Sequence, residues 1–156
     1  MDSQRIELLG RNLLVTDLVR SGLEVALPLR DRGVDLVAYA DEVAKVNAFV
    51  AVPIQMKAAS KRSFGIDRKY VKVSNLLLVH VWHVASPSDA VFYALRYPEA
   101  LAIAEKKGWT KTASWKKRGN YSNNNPGPKF RELLEPYRMT TETWWSTIVG
   151  SYANGG

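Results

Sequence analysis

The chain has 156 residues, of which 46% are hydrophobic and 24% charged, a composition typical of a globular protein that can bury a core. Its lack of cysteine excludes disulfides and thiolate metal sites. The apolar runs are too short to span a bilayer, and the first twelve residues lack the apolar segment of a secretory signal, so we expect a cytoplasmic protein. The net charge of +7 favours a polyanionic partner such as nucleic acid.

The first half of the chain predicts one helix followed by three strands. Apolar residues at helical spacing predict an amphipathic helix over 4–21. Apolar runs predict strands over 23–29, 34–40 and 46–58, with a polar turn at 41–45. Pro53 has no N–H to donate, so we expect the third strand at a sheet edge or bulged near this residue.

The second half alternates between apolar elements and polar, basic segments. The elements expected are a loop over 58–73 with a short strand at its end, a central strand over 75–84, a strand over 90–97, a helix over 98–108, a long exposed loop over 109–130, helices over 128–137 and 141–149, and a frayed tail at 153–156. The central position follows from the strand 75–84 being apolar on both faces. The order predicts a single α+β domain over 1–156, with an N-terminal helix, a mixed sheet and C-terminal helices.

Three polar residues interrupt two of the apolar strands. Asp35 lies near the start of one strand, and Gln55 and Lys57 share one side of the next because strand side chains alternate. If these strands pair antiparallel, Asp35 lies opposite the other two. Asp35 and the Gln55 carbonyl oxygen are then ligands of the kind that Mg²⁺ or Mn²⁺ takes. An adjacent ammonium stabilises the negative charge that grows on phosphate during hydrolysis.

The stretch "GVDLVAY … VPIQMK" resembles the PD-(D/E)XK nuclease superfamily, which includes restriction enzymes, Holliday-junction resolvases and some homing endonucleases. The resemblance covers residues 4–57, in the order helix, strand, Asp strand and Lys strand. It implies a restriction-endonuclease-like core of the α/β sandwich type and Mg²⁺- or Mn²⁺-dependent hydrolysis of DNA phosphodiester bonds. Asp35 and Gln55 would bind the metal, and Lys57 would orient water or stabilise the transition state.

The chain departs from the family pattern at three positions. Gln55 replaces the acidic residue, which gives a Gln-X-Lys form with one negative charge fewer, and Val34 replaces the usual proline before the aspartate. Arg11 stands where the family's helix often carries a metal-linked glutamate. Glu7 lies one helical turn earlier and is the candidate for that role.

Two other interpretations of these residues stay open at this level. Asp35 can be a turn residue that begins a strand, with Gln55 and Lys57 solvated at a strand end. Alternatively, the chain is a catalytically inactive member of the same fold that binds nucleic acid or a protein partner, which the loss of an acidic residue at position 55 favours.

Two basic clusters are the candidate nucleic-acid-binding residues. The first comprises Lys61, Arg62, Arg68, Lys69 and Lys72, and the second comprises Lys111, Lys116, Lys117 and Arg118. Lysine and arginine neutralise phosphates, and the interleaved aromatics Phe64, Tyr70, Trp109, Trp115 and Tyr121 either stack on bases or fill the core. DNA is the expected partner, with RNA as an alternative, and sequence preference would come from these loops or from a homodimer.

His80 and His83 invite a metal assignment that their spacing disfavours. A separation of three residues on a strand places them on opposite faces. We therefore expect each of them to be a packed or hydrogen-bonded strand residue.

Overall fold

The computed structural model describes residues 1–41 and 49–153. Its helices are α1 (Ser3–Arg20), α2 (Tyr97–Lys106), α3 (Ala113–Arg118), α4 (Pro128–Leu134) and α5 (Trp144–Ala153). Its strands are β1 (Glu24–Ala26), β2 (Leu36–Ala40), β3 (Val50–Ala58), β4 (Phe64–Asp67), β5 (Leu77–Trp82), β6 (Val91–Arg96), β7 (Asn120–Asn123) and β8 (Arg138–Met139). The turn expected over 42–45, the predicted strand residues 46–48 and the tail at 154–156 lie outside the described residues.

The main sheet has six strands in the order β1-β2-β3-β5-β6-β8. The β3–β5 pair is parallel and the other neighbours are antiparallel, so the sheet is mixed. With its N-terminal helix and C-terminal helices, this is the α+β architecture that the sequence predicts. Strand β5 is buried along its whole length between β3 and β6, which confirms its expected central position.

Strand β3 is an interior strand whose register with β2 continues through Pro53 without a bulge, so the expectation of an edge position or a bulge was wrong. It pairs with β2 from Val50 to Ile54, whereas its pairing with β5 begins only at Ile54. Pro53 lies just before the second partner begins. Its missing N–H is therefore tolerated where the strand is paired on one side, although the strand as a whole lies between two neighbours.

Helix α1 packs on the β3 end that carries the polar residues. The Asp2 side chain caps its N-terminus, and Leu14 and Leu18 are fully buried against the sheet. Gly10 makes the closest approach, because a Cβ atom at this position would lie 2.5 Å from the Cβ of Ala58. The absence of a side chain at this position lets the first turns of the helix lie beside the end of β3.

The opposite sheet face carries a second layer that the sequence did not predict. The segment expected as a loop over 58–73 contains β4 in its middle, followed by a 3₁₀ helix over Arg68–Lys72. The segment expected as an exposed loop over 109–130 contains α3 and β7, and β7 pairs antiparallel with β4 to form a separate two-stranded ribbon. None of the described helices is long and apolar enough to cross a membrane.

The aromatic residues of these segments belong mainly to the core. Phe64, Tyr70, Trp109 and Trp115 are each at most 8% exposed. Trp109 stacks on Phe130 with ring centroids 5.0 Å apart. Base stacking by these side chains is therefore excluded in this conformation, and they hold the second layer on the sheet instead.

Candidate active site and adjoining clefts

The β2–β3 pair brings Asp35 and Gln55 into direct contact. Strand β2 pairs antiparallel with β3, and the Asp35 backbone N–H donates to the Ile54 carbonyl at 2.8 Å. Asp35 Oδ2 accepts two hydrogen bonds, from Gln55 Nε2 at 2.9 Å and from the Met56 backbone N–H at 2.7 Å. The structure thus places the carboxylate and the amide at one end of the two strands, as alternation and antiparallel pairing predict.

These residues open into a cleft of about 440 Å³, which we call the acidic cleft. Its lining residues are Ser3, Ile6, Glu7, Asp31, Asp35, Gln55, Met56, Lys57, Ala58 and Ser63. Helix α1 supplies Glu7, whose Oε1 accepts from Arg11 Nη2 at 3.1 Å. Glu7 therefore shares a cleft with the three strand residues, and Arg11 is held beside it.

Asp31 is a cleft residue that sequence reasoning missed. It lies in the turn before β2, where its Oδ1 accepts from the Gly33 backbone N–H at 3.1 Å. In the sequence Asp31 looks like an ordinary turn aspartate. The one feature that could have indicated a place in the cleft is its position four residues before Asp35. Three carboxylates, from α1, this turn and the start of β2, line the cleft.

The electrostatics of the acidic cleft favour a cation near Asp35. Burial raises the pKa of the Asp35 carboxyl, and the charges of Asp31 and Glu7 raise it further. The Met56 backbone hydrogen bond and the nearby Arg11 lower this pKa but do not outweigh burial. An ionised Asp35 is therefore short of compensating positive charge, and a bound cation would supply it.

Lys57 lies where the acidic cleft meets a second cleft. Its side chain is exposed, and Nζ lies 5.6 Å from the centroid of the buried Tyr70 ring, a cation–π contact that restricts the ammonium. Lys57 lines both the acidic cleft and the second cleft, which has a volume of about 470 Å³. The ammonium is thus placed between two groups of polar residues.

The second cleft, here the ribbon cleft, lies along the β4–β7 ribbon. Besides Lys57, its lining residues are Gly65, Ile66, Asp67, Ser114, Asn120, Tyr121 and Ser122. Ser114 comes from α3, and its hydroxyl donates to the Asn120 backbone carbonyl at 2.9 Å. The sequence suggested no such cleft, because β4 and β7 are far apart in the chain.

His80 is buried beneath this region and is a core residue, as its spacing predicts. It is 1% exposed, its ring stacks on Phe64 at 4.3 Å, and its Nε2 lies 3.3 Å from the carbonyl oxygen of Gly65. Burial is the main cause that lowers its pKa to about 3, with a contribution from Lys57. His83 lies beyond the end of β5 and adopts a left-handed backbone conformation with φ of 59°, so the expectation that it is a strand residue was wrong.

The predicted basic residues differ in how free their charges are. Arg68 packs on the Trp115 ring at 5.2 Å and donates to the Trp115 carbonyl at 3.1 Å, so it also holds α3 in place. Lys69 pairs with Asp67 at 3.7 Å.

The other predicted cations are solvent-accessible to differing degrees. Arg62 is half-buried, whereas Lys61, Lys72 and Lys111 are exposed. Lys116, Lys117 and Arg118 form an exposed group on α3, which we call the α3 cation cluster.

The donor groups of the acidic cleft suit a hydrated hard cation better than a fully protein-bound one. In the described part of the chain, no three His, Cys, Asp or Glu side chains form a group that could hold a metal ion. Asp35 Oδ1 and Gln55 Oε1 accept no hydrogen bond from a described residue. Mg²⁺ commonly binds through one or two carboxylates and keeps several waters, so this donor set fits it.

Comparison with known proteins supports the fold. Neither the protein-family models nor the curated proteins gave a match to this chain. Among solved structures, the chain is similar to I-Ssp6803I, a bacterial homing endonuclease, with a TM-score of 0.52 and 13% sequence identity. The similarity covers 99% of each chain. At this identity it shows that the two chains share a fold over their whole length.

Proposed function

We propose that this protein is a metal-dependent DNA endonuclease of the PD-(D/E)XK type with a Gln-X-Lys motif. The observation that carries the proposal is the contact between Asp35 and Gln55 beside Lys57, in a cleft that α1 closes with Glu7. The shared fold with a homing endonuclease supports a nuclease in general. The order of the elements and the motif residues support the narrower assignment.

Asp35 and Gln55 would hold the metal ion. Asp35 offers Oδ1, because Oδ2 already accepts two hydrogen bonds. The Gln55 Nε2 group donates a hydrogen bond to Asp35. To ligate a cation the amide would have to present its oxygen instead, which requires a rotation that exchanges its two ends. Glu7 and Asp31 contribute negative charge and acceptors for the coordinated waters.

Lys57 would act on the transition state rather than on the ion. Mg²⁺, if bound, would activate a water and partly neutralise the phosphate. The Lys57 ammonium stabilises the negative charge that accumulates on the phosphate oxygens during hydrolysis. Its contact with the Tyr70 ring limits its freedom, so that less rotamer entropy is lost when the ammonium meets phosphate.

The charge distribution supports a nucleic acid as the substrate. The chain carries a net charge of +7, and the α3 cation cluster and Lys61 are exposed near the residues that line the two clefts. Cations that neutralise phosphates bind nucleic acid regardless of sequence and position the backbone. DNA is the substrate that the family resemblance favours, and RNA is tested alongside it.

The experiment is a nicking assay on supercoiled plasmid with Mg²⁺ or Mn²⁺, with branched DNA and RNA in parallel. We expect Lys57→Ala to reduce cleavage by about 100-fold or more, as with loss of other electrostatic stabilisers, while metal binding is kept. Lys106→Ala is the matched control, because Lys106 is an exposed lysine of α2 that lines neither cleft. Equal cleavage by the two variants would contradict the role of Lys57.

A second variant tests the metal site itself. Gln55→Glu keeps the shape of the side chain but adds a carboxylate next to Asp35, so we expect calorimetry to show tighter Mg²⁺ binding. Faster cleavage need not follow, because the new carboxylate can also pair with Lys57. Unchanged Mg²⁺ affinity in Gln55→Glu would mean that residue 55 does not bind the ion.

The alternative function is a catalytically inactive nucleic-acid-binding module of the same fold. The specific observation in its favour is that the described residues contain no group of three His, Cys, Asp or Glu side chains placed to hold a metal. The same assay separates the two functions. DNA binding without any metal-dependent cleavage by the unmodified protein would favour the inactive module.

A further inference from the structure

The ribbon cleft carries polar groups that phosphodiester hydrolysis does not require. It shares Lys57 with the acidic cleft, so a duplex whose scissile phosphate lies at Lys57 would place its next nucleotides against the β4–β7 ribbon. The cleft is open enough, at about 470 Å³, to receive the edge of a base pair. Base reading by this cleft would require hydrogen-bonding groups that the protein itself does not use.

The two strands of the ribbon present a polar face and an apolar face. Gly65 pairs with Ser122 and Asp67 with Asn120, and all four line the ribbon cleft. Phe64 belongs to the buried aromatic cluster behind the ribbon. Ile66 and Tyr121, the pair between them, also line the cleft, but their side chains pack on this cluster. Alternation along both strands thus places the side chains of Asn120 and Ser122 on the face opposite the cluster.

Two side chains on the polar face have groups that no described residue engages. The Ser114 hydroxyl, which donates to the Asn120 backbone carbonyl, also lies 3.3 Å from Asn120 Oδ1, and no described residue engages the Asn120 Nδ2 group. The Ser122 hydroxyl has no hydrogen-bond partner among the described residues, and both side chains are exposed. By contrast, the Asp67 carboxylate is engaged by the Lys69 backbone and ammonium groups.

We propose that the β4–β7 ribbon reads base edges in the major groove of duplex DNA, with Asn120 and Ser122 as the reading residues. The major groove admits a two-stranded β-ribbon, and asparagine and serine are among the side chains that read base edges there. Gly65, which pairs with Ser122, has no side chain and so leaves space beside the Ser122 hydroxyl for a base. The inference rests on the proposed function in that DNA is the ligand.

The α3 cation cluster provides the positioning that base reading needs. Ser114 lies on the same short helix, two residues before this cluster, and contacts Asn120. Phosphate contacts set the register of a protein on the duplex, whereas base contacts give sequence preference. The two roles thus fall to adjacent residues of one surface, and they can be separated by mutation.

The test is a binding selection from duplexes with randomised positions, performed in EDTA so that cleavage plays no part. We expect the unmodified protein to enrich particular base pairs and Asn120→Ala and Ser122→Ala each to lose the preference at one position. The loss should be roughly 5- to 150-fold in relative affinity, the discrimination of a good base contact. Asn125→Ala is the matched control, an exposed asparagine just beyond β7 that does not line the cleft.

The outcomes separate this inference from the proposed function. Unchanged base preference in Asn120→Ala and Ser122→Ala overturns it, as does a wild-type protein that cleaves DNA but enriches no base pair. Base preference that depends on Asn120 or Ser122 in a protein without metal-dependent cleavage supports ribbon reading and refutes the nuclease. Circular dichroism and thermal melting establish that each variant is folded before its selection is compared.

Discussion

Acid should destabilise this protein through His80, and the effect can be isolated. The ring is 1% exposed and stacked on Phe64, and its Nδ1 has no partner among the described residues. Burial, with the neighbouring Lys57 charge, lowers the pKa of His80 from 6.5 to about 3. The unfolded chain therefore takes up a proton at a higher pH than the folded protein does. Stability from this residue is complete above pH 6.5 and is lost as the pH falls toward 3.

The magnitude follows from the size of the pKa shift. Each pKa unit corresponds to about 1.4 kcal/mol, so lowering the pH from 7 to 4 should remove about 3 kcal/mol of unfolding free energy through His80 alone. Domains of this kind are stable by only about 5–15 kcal/mol, so the loss is readily measured. The raised pKa values of Asp17 and Asp35 act with the opposite sign, since acid relieves those carboxylates.

The assay is urea unfolding at pH 7 and pH 4 for the unmodified protein, His80→Phe and His80→Gln. Neither replacement titrates, and glutamine keeps a polar group for Gly65 if phenylalanine overpacks the site. Because the carboxylates are common to all three proteins, the difference between their pH responses isolates His80. An acid loss in either folded variant equal to that of the unmodified protein would refute the neutral, buried imidazole.

Three further predictions test the packing, the cleft and the basic surface. Gly10→Ala should destabilise the fold by about 1–3 kcal/mol in urea unfolding, despite alanine's better helix propensity, because its Cβ would lie 2.5 Å from that of Ala58; an unchanged midpoint would contradict this packing. Asp35→Asn should raise the melting temperature at pH 7 but not near pH 3, because the raised pKa means that ionisation of Asp35 destabilises the folded state. A variant that melts at the same temperature as the unmodified protein at both pH values would contradict this. Alanine at all three positions of the α3 cation cluster should weaken binding to every DNA sequence and flatten the logarithmic salt dependence by up to about 3, and an unchanged slope would rule the cluster out.

The part of the candidate site that could be predicted is the part formed by neighbouring strands. Asp35 and Gln55 are 20 residues apart, and their contact follows from two ordinary rules, side-chain alternation and antiparallel pairing of successive strands. Asp31 was missed because a turn aspartate looks the same whether or not it faces a cleft. The edge position expected from Pro53 was wrong. A proline needs a free side only at its own position, because only its own N–H is missing, and the second partner of β3 begins one residue later.

The second layer could not be predicted because its contacts are not local. Strand β7, "NYSN", has too few apolar residues to show strand periodicity, and it pairs with β4 residues more than 50 positions earlier in the chain. Trp109 and Trp115 looked equally suited to bases or to the core, and only the pairing of β4 with β7 places them under the ribbon. Local patterns describe each side chain's chemistry, whereas the distant partner decides whether that side chain is buried.

Lys57 joins the predictable and the unpredictable halves of the molecule. From the sequence it belongs with Asp35 and Gln55, and in the structure it equally lines the ribbon cleft. A lysine in the acidic cleft alone would serve hydrolysis of any phosphodiester that reached it. Placed beside the ribbon, the same ammonium would meet the phosphate of a nucleotide whose neighbours face Asn120 and Ser122. The geometry of one strand end would then link the site of cleavage to the bases that are read. A change that moves β4 should therefore alter cleavage and base preference together.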